Sequence, residues 1–411
     1  MLYQLHEMQR SFLTPLMQWA DASSKLFSNP VSPLAHTPFS QRIAAGYELM
    51  YRLGKEYQKP AFGIATTPIN GKDVGITERT ITNKPFCKLL HFKKDLSERD
   101  LKALAQPKVL MVAPLSGHHA TLLRDTVRAL LPNHDVYITD WTDARMVPLS
   151  EGPFHLDDYI YYVQEFIRAL GPDVHVISVC QPTVPVLAAI SLMASNNDPM
   201  LPKTMTMMGG PIDPRKSPTA VNDLAMEKPF SWFENTVIYA VPGNYPGFGR
   251  KVYPGFLQHA GFIAMNPGRH AQSHREFYQH LVQGDDDSAE SHRQFYDEYN
   301  AVLDMPAEYY LDTIRIVFQE FRLPKGTWEV GGQLVRPQDI KTVALFTVEG
   351  ELDDISGAGQ TQAAHDLCTG IPPEMHRDFV APKCGHYGIF SGRRWRDIIC
   401  PKIGEFIRDF S

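Results

Sequence analysis

A cysteine, an aspartate and a histidine stand in this chain in the order and settings that acyl transfer needs: Cys180, Asp353 and His386. Cys180 lies in Ser178-Val179-Cys180-Gln181-Pro182, after a run rich in β-branched residues (173–179) and before a helical stretch (182–195). Proline suits the first helical position, where a missing N–H has no helical partner. A strand, a sharp turn and a helix in succession lift the turn residue above a sheet and set it at a positive helix end. A thiol there, with an ordinary pKa of about 8.5, is lowered by the helix end and a nearby imidazolium, so its thiolate is reachable at neutral pH. Measured against G-x-S-x-G, the pentapeptide has Ser at the first glycine, Cys at the serine and Pro at the second glycine. By itself it is a weak signal, and the order of its partners strengthens it.

A nucleophile in this setting calls for an acid after the next-to-last strand and a base after the last one. The strand candidate Val343–Val348 runs into Gly350-Glu351-Leu352-Asp353-Asp354. Adjacent aspartates point apart, so one of them reaches the histidine. Gly350-x-x-Asp353 favours Asp353, with Asp354 the alternative. His386 is singled out of sixteen histidines because it follows the last strand candidate and has Gly385 and Gly388 close by. The roles follow from the chemistry: His386 takes the thiol proton, the aspartate holds the imidazole tautomer, and the thiolate attacks an acyl carbonyl. The oxyanion needs two N–H donors. One is expected from the backbone of Gln181, the other from Pro114-Leu115-Ser116-Gly117-His118-His119, near Gly117 or His118.

The positioning elements can be read from periodicity. Strand candidates are 80–82, 87–92, 109–113, 136–139, 174–179 and 204–208, with helical stretches near 120–131, 157–170 and 183–195. Alternation stops over 215–335, which is rich in aromatics and histidines, with helical segments near 221–235, 270–282, 287–302 and 307–322. It resumes with 343–348, a helix near 359–367, a strand at 376–380 and a helix near 392–409. These patterns predict an α/β chain: an α/β-hydrolase fold with a mostly parallel doubly wound sheet over 78–214 and 336–411. Residues 215–335 form an inserted helical and aromatic cap, and 1–77 an N-terminal helical extension. The amphipathic helices of that extension either pack on the main body or rest on a hydrophobic surface.

Composition narrows the function. The net charge of −6 and the lack of a long basic run point away from nucleic acid. Five cysteines, odd in number and without a CxxC pair, argue against a disulfide framework or a zinc knuckle. His118-His119 diverge as neighbours, and His270-x-x-x-His274 lacks the acid of a zinc motif, so no metal and no cofactor are expected. The N-terminus has no basic region leading into an apolar core, and the uncharged stretch from Val174 to Asn197 splits into strand, elbow and helix. The reading is a soluble, cytoplasmic protein without a transmembrane segment.

At these residues the chain resembles the intracellular poly(3-hydroxybutyrate) depolymerases, relatives of the polyhydroxyalkanoate synthases. The resemblance covers nearly the whole sequence. It includes Met1-Leu-Tyr-Gln-Leu5, Leu115-Ser-Gly-His-His-Ala-Thr-Leu-Leu-Arg124, Asp140-Trp-Thr-Asp-Ala-Arg145, Ser178–Pro182, Val252-Tyr-Pro-Gly-Phe-Leu257, Pro306-Ala-Glu-Tyr-Tyr-Leu-Asp312, the 350–355 loop and Gly385-His-Tyr-Gly388. It implies a Cys-Asp-His triad acting on amorphous polyester of storage granules through a 3-hydroxyacyl thioester. Water then releases 3-hydroxybutyrate or oligomers, or coenzyme A acts as acyl acceptor. Synthases typically keep glycines around the cysteine, and Gln181-Pro182 favours a depolymerase over a synthase-like acyltransferase. A small-substrate esterase or thioesterase is the other alternative, and a homo-oligomer is left open. Phe230, Trp232, Phe233, Tyr239, Tyr245, Phe248, Tyr253, Phe256 and Phe262 crowd the cap; they form its own core, or some of them line a groove for an apolar chain.

Overall fold

The computed structural model describes residues 2–37, 39–265 and 267–411; Met1, the first residue of the N-terminal motif, lies outside it, as do Pro38 and Asn266. Two helices lead, α1 (Leu2–Ser28) and α2 (Ser40–Gly54). Small residues let them approach closely. Ala20 and Ala45 are buried, the Ser24 hydroxyl donates to the Ala44 carbonyl at 3.0 Å, and Met17 fills the space over Gly54.

Seven strands follow: β1 (Thr66–Ile69), β2 (Lys72–Asn83), β3 (Cys87–Lys94), β4 (Lys108–Val112), β5 (Asp135–Trp141), β6 (Val174–Val179) and β7 (Thr204–Met208). Next come short pieces, β8 (Tyr239–Ala240), β9 (Lys251–Tyr253), β10 (Met305–Pro306), β11 (Glu329–Val330) and β12 (Gln333–Leu334), and then β13 (Ala344–Gly350) and β14 (His376–Ala381). The main sheet has the order β1-β2-β3-β5-β4-β6-β7-β13-β14. From β5 to β14 neighbouring strands pair parallel, whereas β1, β2 and β3 add an antiparallel edge. β6, β7 and β13 are buried at every residue, as strands inside a parallel sheet covered on both faces are.

Two expectations are corrected. The strand expected at 80–82 is the end of β2, and the sheet starts at Thr66 rather than near 78. Beyond Gly75, β2 has no β1 partner, and none of its residues is fully buried, so it gives no burial period. The Asn70-Gly71 pair, both at positive φ, turns β1 into β2 and was the legible signal there. The helix expected near 359–367 is a single turn, Ala364–Leu367. The buried Glu349 carboxylate takes the backbone N–H groups of Gly359, Thr361 and Gln362 at 2.8–3.0 Å, and so holds that segment as turns.

Between β7 and β13 the chain leaves the sheet. Helices Ala220–Glu227, Phe230–Thr236, Gly255–Met265, Pro267–Gln283, Asp286–Tyr299 and Ala307–Thr313 surround a small antiparallel sheet of β8, β9 and β10. The helix Ala307–Thr313 continues into a π-helical turn, Ile314–Gln319, a form that often accompanies functional sites.

Candidate active site

Cys180 sits at the tip of β6 with φ of 68°, a left-handed conformation uncommon for a residue with a side chain. Its N–H donates to the Met208 carbonyl at 2.7 Å, which fastens the elbow to the end of β7. The helix Thr183–Ser195 starts three residues on, so its N-terminal end is next to the sulfur. Cys180 is the one partly exposed cysteine; Cys87, Cys368, Cys384 and Cys400 are buried.

The loop after β13 delivers Asp353, and the loop after β14 delivers His386. Asp353 Oδ2 and His386 Nδ1 are 2.8 Å apart, with the two side chains only 1% and 4% exposed. Asp353 Oδ1 accepts from the backbone N–H groups of Ile355 and Ser356 at 2.9 and 2.8 Å, so both carboxylate oxygens are committed. Asp354 is exposed. Burial acts to lower the His386 pKa. The charge of Cys180, followed by the hydrogen bonds His386 makes to Asp353 and Cys180, outweighs it and raises the imidazole to about 10. The geometry therefore brings Cys180, His386 and Asp353 together, with the imidazole between sulfur and carboxylate.

The Gln181 side chain was not singled out from the sequence. Its Oε1 accepts from the buried Tyr309 hydroxyl at 2.6 Å, which ties the elbow to the helix Ala307–Thr313. The loop after β4 is fixed at its root. The Ala113 N–H donates to Thr139 Oγ1 at 2.9 Å, and the Ala113 carbonyl accepts from Trp141 Nε1 at 2.8 Å. Leu115, Ser116 and His118 line the cavity over Cys180, and Gly117 does not. Gly117 packs against the cap: its carbonyl accepts from the Leu303 N–H at 2.8 Å, and a Cβ there would lie 2.6 Å from Gln258 Oε1. The His118 ring stacks on Phe262 at 4.8 Å and has Nε2 3.1 Å from the Tyr299 carbonyl. Burial lowers its pKa to about 4, so the ring is neutral and donates that bond.

The cavity measures about 350 Å³ and is walled mainly by apolar side chains, Leu224, Phe233, Tyr253, Phe262, Ile314 and Phe318 among them, with Cys180 and His386 in its lining. Of the nine cap aromatics weighed from the sequence, Phe233, Tyr253 and Phe262 line it. Among the described residues no group of three or more His, Cys, Asp or Glu is placed to hold a metal ion, and no helix is long and apolar enough to cross a membrane. His270 instead has Nδ1 2.9 Å from the Tyr296 hydroxyl.

A mostly parallel sheet, a strained nucleophile elbow after β6, and an acid and a histidine after the last two strands define an α/β hydrolase. Residues 209–411 match the family described as PHB de-polymerase C-terminus, so this part of the chain belongs to that family, and the chain is an ester hydrolase. No curated protein matches it. Similar solved structures include a putative lipase from Acinetobacter baumannii, with 11% identity, a TM-score of 0.46, and coverage of 81% of this chain and 93% of that one. A monoacylglycerol lipase from Paleococcus ferrophilus shows 13% identity and a TM-score of 0.44, over 74% and 96% of the two chains.

Proposed function

We propose that this enzyme cleaves poly(3-hydroxybutyrate) of cytoplasmic storage granules through a Cys180-His386-Asp353 triad. The observation that carries the reading is His386, bonded to Asp353 and charged by Cys180, in the wall of an apolar cavity. The thiolate of Cys180 attacks the ester carbonyl, a C–S bond forms, and the tetrahedral oxyanion meets the backbone N–H of Gln181. Cavity lining favours His118, Leu115 or Ser116 over Gly117 for the second donor. Collapse breaks the C–O bond, and protonated His386 gives its proton to the departing hydroxyl end of the polymer. The acylated sulfur no longer carries charge. The now neutral His386 takes a proton from water, which attacks the thioester, releases the 3-hydroxy acid or oligomer and restores the thiol.

In this reading 215–335 is a cap that gives the cavity its apolar wall, and 1–77 lies outside the catalytic body apart from β1 and the start of β2. The deciding experiment incubates enzyme with native granules and follows released 3-hydroxybutyrate, with and without coenzyme A. Release that depends on Cys180 and needs no coenzyme A is expected. Acyl-coenzyme A as the sole product would replace water by a thiol as acceptor, and release undiminished in Cys180→Ala would overturn the triad.

A further inference from the structure

One face of α1 carries Leu5, Met8, Phe12, Leu16, Trp19 and Leu26, spaced three, four or seven apart. Phe12 is 81% exposed, Leu5 60% and Trp19 53%. Exposed apolar side chains are ordinary when scattered singly; a row roughly 30 Å long at 1.5 Å per residue is a contact surface. The opposite face of the helix is already used, by Tyr3, Met17, Ala20 and Ser24.

Charge narrows what the free face meets. Glu7 and Arg10 turn away from it: they pair at 2.7 Å, and Arg10 also pairs with Glu56 and bonds the Tyr245 hydroxyl at 3.0 Å. Asp21 and Lys25 pair at 2.6 Å near the far end. From Leu5 to Trp19 the exposed apolar side chains have only uncharged exposed neighbours, Gln9, Ser11, Pro15 and Gln18 among them. Helices that lie on anionic lipid carry free Lys or Arg beside the apolar face, and this one presents none there. A second copy of the chain fits poorly too. With Leu5, Phe12, Trp19 and Leu26 on one heptad position, the complementary positions fall on Met8, Pro15 and Ala22, and proline and alanine supply no knobs for a paired helix.

Through its opposite face the same helix is anchored to the wall of the site. Tyr3 and His6 pack their rings on Phe256 of the cap helix Gly255–Met265, at 5.5 and 4.0 Å, and Phe262 of that same helix lines the cavity. We propose that this face of α1 docks the enzyme on the surface of an uncharged, apolar polyester, the solid form of its own substrate. The inference rests on the polyester reading above and adds the element that holds the surface.

The test separates docking from chemistry. In a Cys180→Ala background, Phe12→Gln/Trp19→Gln is expected to bind amorphous poly(3-hydroxybutyrate) granules about tenfold more weakly than its parent, because two large side chains no longer leave water. With Cys180 intact, the same pair is expected to turn over a soluble 3-hydroxybutyrate oligomer within about twofold of wild type, since neither side chain lines the cavity. Unchanged granule binding overturns the proposal. So does equally tight binding of anionic phospholipid vesicles, or a solution dimer that the double substitution splits. If soluble turnover is lost, Leu5→Gln/Met8→Gln is judged by the same criteria. A wild-type enzyme that docks through α1 yet releases no 3-hydroxybutyrate would sink the polyester reading and leave the docking face standing.

Discussion

Gly210 lies against the backbone of Cys180: a Cβ on it would stand 2.5 Å from the Cys180 carbonyl oxygen and collide with the Thr183 hydroxyl. The contact is pinned from the other side, where Thr361 Oγ1 accepts the Gly210 N–H at 2.8 Å and donates to the Gly210 carbonyl at 3.0 Å. Neither backbone can retreat without moving β7 or the elbow. Gly210→Ala is therefore expected to cost about 1–3 kcal/mol of stability, as overpacking does. It should also lower kcat far more than it raises KM, because the sulfur is displaced. Chemical denaturation and steady-state kinetics on a soluble ester check both. An alanine variant with wild-type kcat would show that the elbow tolerates the shift.

Asp353 supports the charge on His386, and the raised imidazole pKa of about 10 sets an alkaline limit on activity. In the proposed mechanism protonated His386 releases the alcohol, so kcat/KM is expected to fall as pH rises through that value. Asp353→Asn removes a carboxylate that stabilises the imidazolium. Its alkaline limb is expected to move to lower pH, and kcat to drop by roughly 10³–10⁴-fold, as when a triad aspartate is neutralised elsewhere. The pH profile of the variant decides it. An unmoved limb would assign the proton to another group.

The three residues proposed as a triad could be picked out by chain order, because they follow the ends of β6, β13 and β14. The carboxylate choice was not settled by sequence. Only the structure shows Asp353 turned inward, where the N–H groups of Ile355 and Ser356 hold one oxygen and leave the other for His386. Gly117, like His118, read as an oxyanion candidate from its place in the loop after β4. Gly117 also lies against Gln258 and Phe262 of the cap, a long-range contact that no local pattern encodes. The Tyr309–Gln181 bond, between residues far apart in the chain, was invisible for the same reason.

That bond makes its own prediction. Tyr309 is fully buried and its hydroxyl donates to Gln181 Oε1, while among the described residues Gln181 Nε2 has no partner. Tyr309→Phe would leave both polar atoms of the carboxamide without partners, at a cost of about 1–3 kcal/mol. Because Gln181 also supplies the proposed oxyanion N–H, kcat should fall along with stability. Gln181→Met in the Tyr309→Phe background removes the stranded amide and should recover part of the stability, which a double-mutant cycle measures. No recovery would mean that the hydroxyl acts elsewhere.

Far from the sulfur, Asp143 and Asp304 form a buried carboxylate pair that joins three parts of the fold. Tyr3 of α1 donates its hydroxyl to Asp304 Oδ2 at 2.5 Å, the Gly255 N–H of the cap donates to Oδ1 at 2.8 Å, and the Asp304 N–H donates to Asp143 Oδ1 at 3.2 Å. Burial, and then the charge of Asp304, raise the Asp143 carboxyl to about 7, despite Arg145 at 2.9 Å. Asp304 is raised as well, by burial first. A folded carboxyl raised above its unfolded value binds its proton more tightly in the folded state. The stability it contributes is complete below about pH 4 and is lost as pH climbs through 7, with a slope of up to about 1.4 kcal/mol per pH unit per proton. Asp143→Asn removes the titrating group and the repulsion together. Urea unfolding at pH 5, 6.5 and 8 should show wild type losing stability across this interval by more than the variant does. Equal slopes would mean that both carboxylates are ionised throughout, held by Arg145 and Tyr3.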